Sequence, residues 1–325
     1  VSTQTDAITV TGYGGPEVLT VEKIDVSAPG EGQVQVRVAA AGINFIDIYR
    51  RQGVYPEPLP NVPGREGAGT VMAIGPGVDG VAVGDRVAWC DVHGSYAGLV
   101  NAPAAALIPV PDGVDDQQAA AFPLQGLTAH YLATDSYPVR PGDTVLVHAG
   151  AGGVGLLLTR IARIRGARVI TTVSTDAKAE LSRDAGADEI IVGYQDFEHK
   201  VRELTGGAGV QAVYDGVGKD TFDASLASLA VRGTMVLFGG SSGQVPPFDP
   251  QRLNGLGSLY LTRPTLAHFT RTRAELLARS AEVLGWIADG RLEVRIGGTY
   301  PLADAARAQE DLAGRRSTGK LLLLP

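Results

Sequence analysis

The sequence predicts an α/β fold in which a doubly wound domain is inserted into a discontinuous, barrel-like β domain. Three observations point there. Residues 1–124 read as short strands broken by glycine-rich turns, with few helical patterns. Residues 125–264 alternate strand and helix, as a parallel sheet covered on both faces requires. Residues 265–325 close with helical patterns and a final apolar strand, GKLLLL, which we expect to return to the first domain. A chain of 325 residues is also long for one core, so two domains are the natural expectation.

The elements follow in order. ITVTGYGGPEVLTVEKI gives two short strands around a Gly-Gly-Pro turn. QVQVRVAAAGI (33–43) alternates like a strand buried on one face. GREGAGTVMAIGPGV (64–78) and VGDRVAW (83–89) carry the glycine punctuation of a compact barrel-like sheet. FPLQGLTAHYLATDS (122–136) is the first clear helix. PGD at 141–143 then opens the strands TVLVH, ARVITTV, DEIIV, VQAVYD, TMVLFG and SLYLTR. Between them lie the helical patterns GVGLLLTRIARIR, DAKAELSRDA, FEHKVRELT and DTFDASLASLAV. Several open at an Asp that can cap them and stop at a Gly. This is the pattern of a Rossmann domain. RAELLARSAEVLGWIADG (273–290) and ADAARAQEDLAG (303–314) are helices of the tail.

Composition narrows the function. Hydrophobic residues make up 44% and charged residues 19%, which suits a folded enzyme and not a disordered chain. The net charge of −7 argues against a nucleic-acid partner, which wants a basic face. Cys90 is the one cysteine, so an intramolecular disulfide and a cysteine-rich zinc site are both excluded, and a cytoplasmic location is expected. VSTQTDAITV does not read as a signal peptide, and LLLLP is too short to span a bilayer, so no membrane partner is expected.

HAGAGGVG (148–155) contains Gly150-x-Gly152-x-x-Gly155. Among 43 glycines a lone match means little. Here it follows a strand, opens a helix whose apolar face includes Leu157, Leu158 and Ile161, and sits at βαβ spacing. Gly150 suits a tight turn, Gly152 a close approach to a pyrophosphate, and Gly155 close helix–strand packing. NAD-binding folds usually place an acid at the tip of the second strand. That strand ends Val173-Ser174-Thr175, and Asp176 reads as the cap of the next helix. Ser174, Lys178 and Tyr194 would welcome a 2′-phosphate, so the expected cofactor is NADPH. A solvated helix face remains the other reading of Lys178.

GGPEVL (14–19), AGINFIDIYRRQGVYP (41–56), HAGAGGVG, VYDGVG (213–218) and SLYLTRP (258–264) together resemble the zinc-independent quinone oxidoreductase, or zeta-crystallin-like, branch of the medium-chain dehydrogenase/reductases. The resemblance covers nearly the whole chain. It implies a GroES-like β-barrel catalytic domain with an inserted Rossmann domain. Zinc-dependent relatives carry a Cys near the start of the AGINFID segment and a His-Glu pair; here stand Gly42-Ile43-Asn44 and Gly64-Arg65-Glu66. No metal is expected, and His93, His130, His148, His199 and His268 read as structural or surface residues.

The resemblance implies NADPH-dependent reduction of a quinone by hydride or electron transfer without a metal. A quinone needs less polarisation than a ketone, and hydrogen-bond donors can stabilise its developing oxyanion. Asn44, Tyr49, Tyr55 and Arg65 are the catalytic candidates. Tyr49 also fits a packed helix residue, and Tyr55 a loop aromatic beside Pro56. By position, Asn44, Phe45, Ile46, Asp47, Tyr49 and Thr128 should border the nicotinamide. Gly152, Gly153 and Val154 should hold the pyrophosphate, and Ser174, Lys178 and Tyr194 the adenosine phosphate. Val217, Phe238, Gly239 and Ser241 should line the sheet's carboxyl edge. Arg316 fits either a cofactor contact or a solvated loop charge. SLYLTR resembles the strand by which family members pair across a two-fold axis, so a homodimer through Ser258–Arg263 is expected. Reduction of activated C=C bonds, and a non-catalytic nucleotide or RNA-binding role, stay open as alternatives.

Overall fold

The computed structural model describes residues 2–314 and 317–325. Two compact units emerge: unit 1, Val1–Leu124 with Thr272–Pro325, and unit 2, Gln125–Arg271.

The chain starts in unit 1 with β1 (Thr3–Thr9), β2 (Thr20–Val26), β3 (Gln33–Ile43), α1 (Phe45–Arg51), β4 (Glu66–Ile74), β5 (Arg86–Cys90), β6 (Leu99–Pro103), β7 (Ile108–Pro109) and α2 (Asp116–Ala121). α3 (Pro123–Tyr131) leads into unit 2. There follow β8 (Thr144–Val147), α4 (Gly153–Ile164), β9 (Arg168–Val173), α5 (Asp176–Asp184), β10 (Glu189–Val192), α6 (Phe197–Leu204), β11 (Val210–Asp215), α7 (Phe222–Ala227), β12 (Leu229–Leu237), α8 (Gln251–Gly255) and β13 (Tyr260–Thr262). α9 (Arg273–Ala288), β14 (Ile296–Pro301), α10 (Ala305–Ala313) and β15 (Lys320–Leu324) complete unit 1.

Unit 1 is built on a sheet ordered β14-β15-β3-β4-β5-β7, with β6 also pairing β3. β3 was expected to bury one face, but most of it is buried on both. Val34, Val36 and Val38 enter the apolar cluster with Trp89, Leu321 and Leu323, while the alternate Gln35 is also buried and bonds Ser27 O and Asn101. The C-terminal β15 pairs antiparallel with β3, so the returning strand joins the sheet that β3 begins, while β1 and β2 pair as a separate ribbon.

Unit 2 is a parallel sheet ordered β10-β9-β8-β11-β12-β13. Numbered within the unit this is 3-2-1-4-5-6, the Rossmann order, and it reverses between β8 and β11. Ligands of such sheets sit at the carboxyl ends of the strands near that reversal. The helical reading of 220–231 runs too far: Leu229 already pairs with Val210 as a strand residue, so ladder bonds override the local pattern. Phe269 stacks on Tyr131, with ring centroids 4.3 Å apart. Among the described residues no helix is long and apolar enough to cross a membrane.

Candidate cofactor and active site

The segment after β8 is a tightly packed turn with one open side. Ala149 takes a left-handed conformation, φ 51°. Gly150 is glycine for packing: a Cβ there would lie 2.6 Å from Thr171 Cβ and 2.8 Å from Ser182 Oγ. A Cβ at Gly155 would strike Ala149 O at 2.2 Å. The positive φ therefore falls on Ala149, beside Gly150. At Gly152 a Cβ would find only Ala149, its oxygen 3.2 Å away, so that side of the loop is open. Gly152 is also the N-cap of α4 and offers no side-chain cap. The first-turn N–H groups, those of Gly153 and Val154 included, have no intrahelical acceptor, and the helix dipole favours an anion there. A cradle of this kind fits a pyrophosphate.

Gln125 is a residue the sequence reading passed over. Its amide reaches Gly153, where a Cβ would lie 2.4 Å from it. Thr128 is one turn further along α3, on the same face.

The residues expected at the adenosine end are equally local. Ser174 follows β9, and Lys178 Nζ donates to Ser174 Oγ at 3.2 Å. The cap of α5 is Thr175, not Asp176: its hydroxyl accepts from Lys178 N at 3.3 Å, and Asp176 is the first helical residue. No acid stands at the tip of β9. Tyr194 follows β10, its ring 6.0 Å from that of His148.

The turns after β11 and β12 are zipped together. Ser241 N donates to Gly216 O at 3.1 Å, Ser242 N to Val217 O at 2.9 Å, and Phe238 N to Asp215 O at 2.9 Å. Val217, Phe238, Gly239 and Ser241 thus share one edge of the sheet. Beneath them Asp215 is fully buried. Its carboxylate accepts from Val217 N, Gly218 N, Thr221 Oγ1 and Ser225 Oγ at 2.7–2.9 Å. His148 joins through Ser225 Oγ (2.8 Å) and Thr172 Oγ1 (2.7 Å). Burial pulls its imidazole down to about 4 against the opposing pull of Asp215, so it is neutral near pH 7.

Unit 1 gathers the other candidates around α1. Asn44 caps this helix and is buried. Its backbone N–H donates to Asp47 Oδ2 at 2.9 Å, its Nδ2 to Glu66 Oε2 at 2.7 Å, and its Oδ1 accepts from Lys320 Nζ at 2.6 Å. Lys320 Nζ also pairs with Glu66 Oε2. Asn44 therefore keeps one amide hydrogen for another partner. Asp47 turns inward and accepts from Tyr96 OH at 3.0 Å; burial lifts its carboxyl to about 6 against hydrogen bonds from Asn44 and Tyr96. Phe45, Tyr49 and Tyr55 form an exposed aromatic row with centroids 6.5 and 6.2 Å apart. Tyr49 is 39% exposed, which sets aside the packed-helix reading. Ile46 is half-buried between them in sequence. Arg65 is held apart from Asn44's bonds, on Glu57 (2.6 Å) and Asp91 (2.8 Å). Arg316 lies outside the described residues.

Two family profiles match: an alcohol dehydrogenase GroES-like domain over residues 30–112 and a zinc-binding dehydrogenase domain over 153–284. The quinone oxidoreductase of Pseudomonas aeruginosa is 45% identical, over 96% of this chain and 97% of its own. The chain belongs to the quinone oxidoreductases of the medium-chain dehydrogenase/reductases. A solved mycobacterial structure complexed with NADPH is 56% identical, with TM-score 0.93, over 99% of this chain and 100% of that one. A Burkholderia 2-haloacrylate reductase is 42% identical over 96% of each chain.

The zinc named in the second profile does not fit this quinone oxidoreductase's residues. Gly42-Ile43-Asn44 and Gly64-Arg65-Glu66 stand where the resemblance places the Cys and the His-Glu pair, and neither Cys nor His is among them. Cys90 is a poor donor, because burial and the nearby Glu66 push its thiol far up. Among the described residues no three His, Cys, Asp or Glu side chains gather as a metal group.

Proposed function

We propose that the chain is an NADPH-dependent quinone reductase that works without a catalytic metal. One observation carries the cofactor choice: Ser174 and the Lys178 ammonium stand together at the tip of β9, where an NAD enzyme would place an acid. The NADPH complex of the mycobacterial relative supports it. In this reading Gly152, Gly153 and Val154 hold the pyrophosphate, Ser174, Lys178 and Tyr194 the 2′-phosphate, and Thr128, Val217, Phe238, Gly239 and Ser241 the remaining edge. NADPH supplies the reducing equivalents. The protein's part is to orient, desolvate and donate hydrogen bonds. Phe45, Tyr49 and Tyr55 offer ring faces to a flat acceptor, and the hydroxyls of Tyr49 and Tyr55 with the free Asn44 amide hydrogen and Arg65 offer donors. Asn44, Phe45, Ile46, Asp47 and Tyr49 are assigned to the nicotinamide end; for Asp47 this is a backbone role, since its carboxyl faces inward.

The 2-haloacrylate reductase favours a second reading, reduction of an activated C=C bond. Steady-state rates with NADPH and NADH against 1,4-benzoquinone, 9,10-phenanthrenequinone, a 2-alkenal, 2-chloroacrylate and an enoyl thioester separate the two. Turnover of quinones with NADPH in preference to NADH is expected. Rates confined to the alkenes would replace the first reading with the second, and a preference for NADH would overturn the cofactor assignment.

We further propose a homodimer. Among the described residues β13 ends the sheet with no strand on its outer edge, and Tyr260 on it is 61% exposed. A monomer in sedimentation equilibrium would contradict this. A lone half-buried thiol and an NADPH-linked reaction suit the cytoplasm, and recovery with the membrane fraction would argue against it.

A further inference from the structure

The glycines before and at the start of α4 are glycine for different reasons. At Gly150 and Gly155 a Cβ would strike firmly placed atoms, Thr171 and Ser182 in one case and the Ala149 backbone in the other. Gly153 differs. Its φ is not positive, so the backbone does not require glycine there. A Cβ on it would meet only the side-chain amide of Gln125, with Nε2 and Oε1 at 2.4 Å and Cδ at 2.5 Å. No backbone atom is among its three nearest neighbours. The missing side chain at Gly153 leaves room for one amide.

That amide is placed but unpartnered. Gln125 lies in α3, three residues ahead of Thr128, and is half-buried. Its Nε2 carries two hydrogens and its Oε1 two lone pairs, and none has a partner among the described residues. Ordering a glutamine side chain costs conformational entropy, and contact with a single Cα returns little of it. The Cα it rests on stands between the N–H groups of Gly153 and Val154. Both belong to the first turn of α4 and lack an intrahelical acceptor. A group that accepts from them has the Gln125 amide beside it.

We propose that Gln125 is a further cofactor-binding residue: its Nε2 donates to a pyrophosphate oxygen held at the start of α4, and residue 153 is glycine to admit it. The assignment rests on the dinucleotide reading of this site. The amide is uncharged, so it adds a directed hydrogen bond to a charged acceptor and no counter-charge.

The test is isothermal titration of the full chain, with no quinone present. NADPH is compared with adenosine 2′-monophosphate, which carries the 2′-phosphate but no pyrophosphate. Gln125→Met keeps the length of the side chain and removes the donor. It should raise Kd for NADPH about tenfold and leave Kd for the monophosphate unchanged. Gly153→Ala, whose methyl pushes the amide aside, should weaken NADPH binding in the wild type and add little in Gln125→Met. An unchanged Kd for NADPH in Gln125→Met, or equal weakening of both ligands, overturns the proposal. So does a Gly153→Ala loss that adds in full to that of Gln125→Met, because the methyl then acts on the cofactor itself. A wild-type chain that prefers NADH overturns the choice of NADPH alone: both dinucleotides carry the pyrophosphate, and the same Gln125→Met loss read on NADH supports the assignment. Binding of neither dinucleotide overturns both.

Discussion

Each unit buries a carboxylate among its own candidate residues, and the two are satisfied by opposite means. Glu66 in unit 1 meets a buried ammonium, Lys320, together with the Asn44 amide and the Leu124 N–H. Asp215 in unit 2 meets only backbone N–H groups, two hydroxyls and a neighbouring neutral His148. The reach also differs. Glu66 and Lys320 are 254 residues apart, whereas the donors to Asp215 all lie within 10 residues of it. The ion pair fastens the returning C-terminal strand to the first part of a discontinuous unit and fixes the Asn44 side chain on the way. The Asp215 network shapes one turn. A charge pair here holds a unit together, and a carboxylate among neutral donors shapes a turn at the sheet's carboxyl edge.

The largest effect should come from breaking the first network. Lys320→Met leaves Glu66 buried without its cation and should cost about 3–5 kcal/mol in urea unfolding. Adding Glu66→Gln removes the stranded charge, so the double variant should recover a large part of that loss. If it is as unstable as Lys320→Met alone, the charge pair is not what holds β15.

Asp215→Asn keeps an acceptor for the N–H groups of Val217 and Gly218 and should cost less, about 1–3 kcal/mol. Its mark should be functional: a raised KM for NADPH with the circular dichroism unchanged. Equal loss of stability in the two variants would erase the contrast drawn between the units.

How much of this was legible in the sequence follows the same division of near and far. The strand–helix alternation of unit 2, the glycine turn and the Ser174–Lys178 pair rest on neighbours in sequence, and short-range patterns report them. The role of Gly150 was misplaced because its crowding comes from Thr171 and Ser182, across a βα unit. Asp176 and Thr175 are both capping residues in the sequence, and only backbone geometry chooses Thr175. Lys320 and Glu66 could not be paired from sequence. Each is one charged residue in an apolar strand, and the only clue was a lysine heading LLLL. Asp215 had a better signal, an acid closing the apolar strand VQAVYD ahead of a glycine turn.

The two networks also pull stability in opposite directions with pH. His148 titrates near 4 when folded, against 6.5 otherwise, so the unfolded chain binds more protons between those values. Stability from this residue rises with pH across that window. Asp47 titrates near 6 when folded, against 3.8, so the folded chain binds more protons there, and its contribution falls as pH rises from 3.8 to 6. The two nearly offset each other in the wild type. Asp47→Asn should make the stability-versus-pH slope between pH 4 and 6 more positive, and His148→Gln should make it more negative. One proton limits each change to about 1.4 kcal/mol per pH unit. Slopes that shift the same way in both variants would show that the two groups do not oppose each other.

The smallest effect tests the ligand edge alone. Lys178 lies on the surface of α5, where substitutions usually change stability by less than about 0.5 kcal/mol. Its work in the proposed reading is a charge-assisted hydrogen bond to a 2′-phosphate, shared with Ser174. Lys178→Ala should therefore leave the unfolding midpoint in place and raise KM for NADPH by about fivefold, roughly 1 kcal/mol. KM for NADH, which has no 2′-phosphate, should stay as it was. The ratio of the two is the informative quantity, because a general disturbance of the cradle would raise both. If both rise together, the lysine supports the fold of the edge, and the preference for NADPH must come from Ser174 and Tyr194.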